Sequence, residues 1–230
     1  MRLLKISAGL LLIPICLGFI LGFLNEISSV SQVDLNEAAF AAGALVYILI
    51  YRYLLRPRIL SLFEHELDHA FWAALFGAKV KAFHVSREGG LVWLTKTNFL
   101  INLAPYFFPL FTFLVVAISF FVDESYMLLV FFLIGFTLAF HMLSTVESLR
   151  VRQSDITKTG VVFSLPFIFI ANLFVLILVM KFISPGNISI ARFLETSFGY
   201  SEAIIELLWI EIKGRLQNIF LLSLVIRMGV

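Results

Sequence analysis

Five ionisable residues crowd into the stretch LFEHELDHAFWAALFG at positions 62–77: Glu64, His65, Glu66, Asp68 and His69. Within it, His65-Glu66-Leu67-Asp68-His69 fits the pattern H-E-x-x-H. On a helix, residues four apart share a face, so both imidazoles can reach one zinc ion. Glu66 lies beside them and can take a proton from zinc-bound water, then deliver it to a leaving amine. Zinc supplies Lewis acidity and brings the pKa of its water toward ~7. It needs a third protein ligand, with the fourth position left for water or substrate.

The surroundings sharpen this reading. Of 230 residues, 61% are hydrophobic and 26 are Phe; the mean hydropathy is +1.02. A soluble globular domain is about 45–50% apolar, so the composition points to an α-helical polytopic membrane protein. An ionisable side chain at mid-membrane costs ~2.5–3.5 kcal/mol even on the lenient insertion scale. Five together are tolerable only in a polar, metal-bearing cavity. A solvated helix face outside the bilayer would not explain the apolar flanks ILSLF and AFWAALFG. The net charge of +2 does not suggest a nucleic-acid partner. A single cysteine, Cys16, rules out an intrachain disulfide and packs as a small hydrophobe.

Six apolar segments surround the motif, near 6–24, 38–55, 59–77, 98–121, 126–146 and 160–183. The first has a basic start and a long apolar run, which reads as a retained membrane helix rather than a cleaved signal. Pro57 breaks the chain before the motif and Gly77 ends the motif helix. Residues 78–97 change character: KVKAFHV and LVWLT favour strands, and REGG between them is a turn, so a β-hairpin is expected. Residues 1–186 read as the membrane core and 187–230 as an interfacial or last membrane helix.

Lys and Arg mark the cytoplasmic side. Loops 25–37 and 122–125 contain none and are expected outside, whereas 52–58, 78–97 and 147–159 are basic and expected inside. Both flanks of segment 59–77 are therefore basic. That fits a segment that dips in and returns, or one that continues the preceding helix as a bent element, with the motif opening toward the cytoplasm. The expected location is a cell inner or plasma membrane.

The stretch FEHELDHAFWAALFGAKVKAFHV, followed by REGGLVWL, resembles the site-2 protease family of intramembrane zinc metallopeptidases. In that family an H-E-x-x-H helix leads into a glycine-containing hairpin, then a further membrane helix and an Asp-bearing segment. The resemblance makes His65 and His69 zinc ligands and Glu66 the catalytic base. It also implies that the hairpin edge holds the substrate in extended form.

The third ligand departs from the family's Leu-Asp-Gly setting, which this chain lacks. Asp155, in RQSDITKTG, stands in about the right order along the chain. Asp34 and Asp123 fall in expected external loops, and Asp68 lies within the motif. His141 is the alternative third ligand, and a helix N-cap is the competing role for Asp155. Asp68 could orient His65 or lie at the cavity mouth. Glu64 points away from the imidazoles and reads as structural. Asn102 and Pro105 can kink the fourth segment, with Asn102 a possible oxyanion donor or a packing residue. His84 belongs to a hairpin face.

The function these readings favour is a zinc-dependent, membrane-embedded endopeptidase. It would cleave membrane-protein or membrane-associated peptides in or near the bilayer, with Glu66 activating a zinc-bound water. Two other readings use the same site: a non-proteolytic metal-binding or transport protein, and a hydrolase acting on lipid or a small amide.

Overall fold

In lipid, backbone N–H and C=O groups must find partners within their own segment, so long apolar runs become helices. The computed structural model describes residues 2–228 except 31 and 152, with side chains for 3–219. The elements are α1 (Arg2–Ser28), α2 (Leu35–Tyr53), α3 (Arg58–Leu75), β1 (Val80–Val85), β2 (Gly90–Leu94) and α4 (Phe99–Leu103). After them come α5 (Leu110–Ser119), α6 (Met127–Arg150), α7 (Ser154–Thr159), α8 (Val161–Ile183) and α9 (Ile190–Met228).

The chain is an α-helical polytopic membrane protein. Four stretches are long and apolar enough to span: Leu3–Ser28, Leu35–Tyr53, Glu124–Arg150 and Val161–Ile183. A fifth candidate is broken. Phe99–Tyr106 and Leu110–Ser119 meet at a bend of 78°. Pro105 lies in the short 3-10 turn Ala104–Tyr106 and Pro109 caps α5, and a proline at either place removes a backbone donor. Together with α3, these account for the six apolar segments read in the sequence. With its charged residues, α3 is not among the spans.

Small residues let the spans approach closely. A side chain at Gly43 would run into the Phe132 carbonyl, and one at Gly135 into that of Phe40, which fixes the α2–α6 contact. In the same way Gly18 lies against Ser201 and Gly22 against Ser197, where α1 crosses α9. The α1–α9 pair is also clamped by charge. Fully buried Glu26 accepts from Arg192 Nε at 2.7 Å and Nη2 at 2.6 Å, and from the Ser189 N–H at 2.5 Å. Between α6 and α8, Val130, Phe131, Ile134, Leu138, Val175, Val179 and Ile183 form one apolar core.

Two local features position the motif. Gly77 has φ +63°, a left-handed conformation that suits glycine. There the Gly77 N–H donates to Ala74 O at 2.9 Å and the Ala78 N–H to Ala73 O at 2.8 Å. This Schellman-type ending stops α3 and turns the chain into β1. β1 and β2 then pair antiparallel, with Phe83 opposite Val92 and Val85 opposite Gly90, and an irregularity between Val80 and Ala82.

Candidate active site

Helix α3 presents its charged residues in three directions, because successive residues turn by about 100°. His65 and His69 face the α4 turn and α7, Glu66 faces the hairpin, and Glu64 faces α5 and α6.

On the first face, His65, His69 and Asp155 come together, with potential ligand atoms all within 4.8 Å of one another. Asp155 Oδ2 lies 3.8 Å from His65 Nε2 and 3.5 Å from His69 Nε2. Zinc bonds of ~2.0–2.1 Å in a tetrahedron set ligand atoms roughly 3.3–3.5 Å apart. Two imidazole nitrogens and one carboxylate oxygen at these separations fit a single metal ion. They leave a fourth direction free of these three side chains.

Each of the three is held by its own surroundings. His69 Nδ1 lies 2.7 Å from the Ile101 carbonyl, so Nδ1 carries the proton and Nε2 keeps its lone pair toward Asp155. The ring of His65 packs edge-on against buried Tyr106 at 5.2 Å between centroids. Asp155 lies in the first turn of α7, whose N-cap is Gln153, so Asp155 is not the cap. Asn102 Nδ2 donates to Thr159 Oγ1 at 3.4 Å and joins α4 to α7. Burial pushes the Asp155 carboxyl up, and the adjacent imidazoles more than reverse this, holding it well below the usual carboxylate range.

On the second face, Glu66 is largely buried against β2. A Cβ at Gly90 would fall 2.5 Å from Glu66 Oε1, so only glycine lets the strand come this close. Burial pushes the Glu66 carboxyl above its ordinary value. A carboxylate with raised proton affinity, next to a metal-competent group, is suited to general-base work.

Other residues singled out in the sequence have different settings. His141 stands apart from the group, with Nδ1 3.5 Å from Glu64 Oε2. Asp68 is neither at a cavity mouth nor hydrogen-bonded to His65; it is fully buried and both its oxygens lack a partner. The side chain of Asn102 accepts from Thr97 at Oδ1 and donates from Nδ2 to Thr159, which ties it into the packing between α4 and α7. His84 is exposed on β1. Nothing in the sequence pointed to the Ile101 carbonyl or to Tyr106, because a backbone acceptor and a lone tyrosine carry no motif. Gly90 was legible only as part of a turn.

A family model described as Peptidase M50B-like matches residues 38–184, from within α2 to the end of α8. The chain belongs to this family. The Peptidase M50B-like family is of the site-2 protease type, whose members are zinc metalloproteases. Membership and the apolar helices together make the chain an integral membrane peptidase with peptide substrates. Helices α1 and α9 lie outside the matched region. Comparisons with curated proteins and with solved structures give no match.

Proposed function

We propose that the chain is a zinc-dependent endopeptidase that hydrolyses peptide bonds within or beside the membrane. The observation that carries this reading is the convergence of His65, His69 and Asp155 on one side of α3, with Glu66 held against the hairpin on the next.

In this reading His65 Nε2, His69 Nε2 and an Asp155 oxygen hold the metal. A zinc ion held there would polarise the scissile carbonyl and acidify the attacking water. Glu66 takes the proton from that water as it attacks and delivers it to the amine that leaves. Ile101 keeps His69 in the tautomer that offers Nε2. The partial exposure of the His65 and Asp155 side chains, 15% and 21%, gives substrate a way in.

A membrane helix hides its carbonyls in its own hydrogen bonds, so a substrate must be extended before cleavage. The β1–β2 hairpin offers unpaired backbone edges beside Glu66, and an unwound segment can add there as a further strand. The basic residues near the ends of α2 and α6 support an opening toward the cytoplasm. Arg56 and Glu147, at those two ends, are 3.8 Å apart, so both lie on the same side of the protein.

The test is cleavage of a transmembrane peptide by purified protein in liposomes. Cleavage should stop on chelation and return on addition of zinc. Undiminished cleavage by chelated, zinc-free protein would refute the reading.

A further inference from the structure

An open groove of about 910 Å³ lies where the link between α2 and α3 meets the hairpin. Its walls include Ile59 and Phe63 of α3 and Val85 at the end of β1. Arg56, Arg58 and Arg87 also line it, and all are exposed. Arg56 lies 3.8 Å from Glu147. Among the described residues, Arg58 and Arg87 pair with no carboxylate. No acidic side chain lines the groove, not even Glu88, which follows Arg87 in the hairpin turn. The groove therefore joins apolar walls to unbalanced positive charge.

It also leads toward Glu66. Ile59, Phe63 and Glu66 are spaced four and then three residues apart, so they share one face of α3, the face turned to the hairpin. Phe63 packs edge-on against Phe83 of β1, with centroids 5.9 Å apart. At about 1.5 Å of rise per residue, Ile59 stands about 10 Å along the helix from Glu66. An extended peptide advances ~3.3 Å per residue, so a chain cut at Glu66 and laid along this face reaches the arginines after roughly three to five residues.

Lipid headgroups also carry negative charge, but a headgroup gives the groove no reason to follow the Glu66 face. A peptide does, because one wall is the hairpin whose edge can pair with an extended chain. The family acts on peptides. We propose that the groove binds the cytoplasmic juxtamembrane segment of the substrate in extended form and selects acidic residues roughly three to five positions from the scissile bond. That this occupant is a substrate rests on the proposed peptidase function, so binding and cleavage are measured separately.

The experiment uses the full chain in phosphatidylcholine liposomes. The transmembrane peptides are identical except for a short juxtamembrane block of Glu, Gln or Lys. Binding to E66Q protein is read by energy transfer between labelled peptide and labelled protein, and cleavage is followed with the wild type. E66Q should bind the Glu peptide about tenfold more tightly than the Gln peptide, with the Lys peptide weakest, and molar salt should erase the difference. The wild type should show the same order in KM. In the E66Q background, R58E/R87E should reverse the order of Glu and Lys. R58Q/R87Q should level it, which covers a reversal variant that fails to fold. Equal affinities for all the peptides in E66Q, or an unchanged preference in the folded arginine variants, would overturn the proposal. Acid-selective binding without cleavage would support the groove while contradicting the peptidase reading. Equal affinities, with activity that rises in phosphatidylglycerol and loses that rise in R58Q/R87Q, would assign the groove to lipid and overturn the proposal.

Discussion

The Asp155 carboxylate lies 3.5 Å from Nε2 of His69, although a hairpin, a bent helix pair and the long helix α6 separate them along the chain. His69 is fixed by the helical spacing of the motif. Asp155 arrives only because α7 packs against α4. A contact of this kind makes Asp155 a stronger candidate ligand than His141, which is occupied by Glu64.

Replacing Asp155 with Ala should therefore weaken zinc binding by roughly 100-fold or more, since even outer-shell partners cost ~10–100-fold. H141A should leave the affinity of the His65–His69 site unchanged. Competition with a fluorescent zinc chelator measures both. Equal losses in the two variants would count against this ligand set.

At Gly90, a methyl group must displace either β2 or Glu66. G90A is expected to keep its zinc and lose activity by up to ~100-fold, the scale of a misplacement of about 1 Å. Zinc content and cleavage rate measured on one preparation test this.

Acid should strip the metal in a predictable way. Asp155 stays ionised well below the usual carboxylate range, so it is not the group that fails first. The two histidines must give up protons to bind, and an ordinary histidine titrates near ~6.5. Burial lowers the His65 value, which moves its loss to lower pH. Zinc affinity should be steady at alkaline pH and fall in acid as the His65 imidazole takes up a proton and gives up the metal. A decline that begins at alkaline pH would contradict the ligand assignment.

The α2–α6 contact should tolerate no side chain at Gly43, which meets the Phe132 carbonyl. G43V is expected to cost ~1–3 kcal/mol or more through overpacking. Thermal unfolding in detergent would show it as a lowered midpoint, with G199A, where nothing lies near the added methyl, as the control.

Much of this could be read from the sequence because the motif is local. Helical spacing alone put His65 and His69 on one face, Gly77 announced the end of α3, and REGG marked the hairpin turn. What escaped depends on contacts between distant segments. The role of Asn102 as a link between α4 and α7 follows from Thr159, far along the chain. Asp68 read either as a partner orienting His65 or as a polar residue at the cavity mouth, but it is fully buried and neither of its oxygens has a partner. The approach of Gly90 to Glu66 follows from how the hairpin folds back over α3, which no periodicity encodes.

In the proposed mechanism the three ligands hold zinc while Glu66 moves the protons. The most direct measurement sets E66Q against the wild type, assaying bound zinc and cleavage of a transmembrane peptide in the same liposomes. Both proteins should hold equal zinc, and E66Q should cleave nothing. Cleavage by zinc-loaded E66Q at the wild-type rate would contradict it.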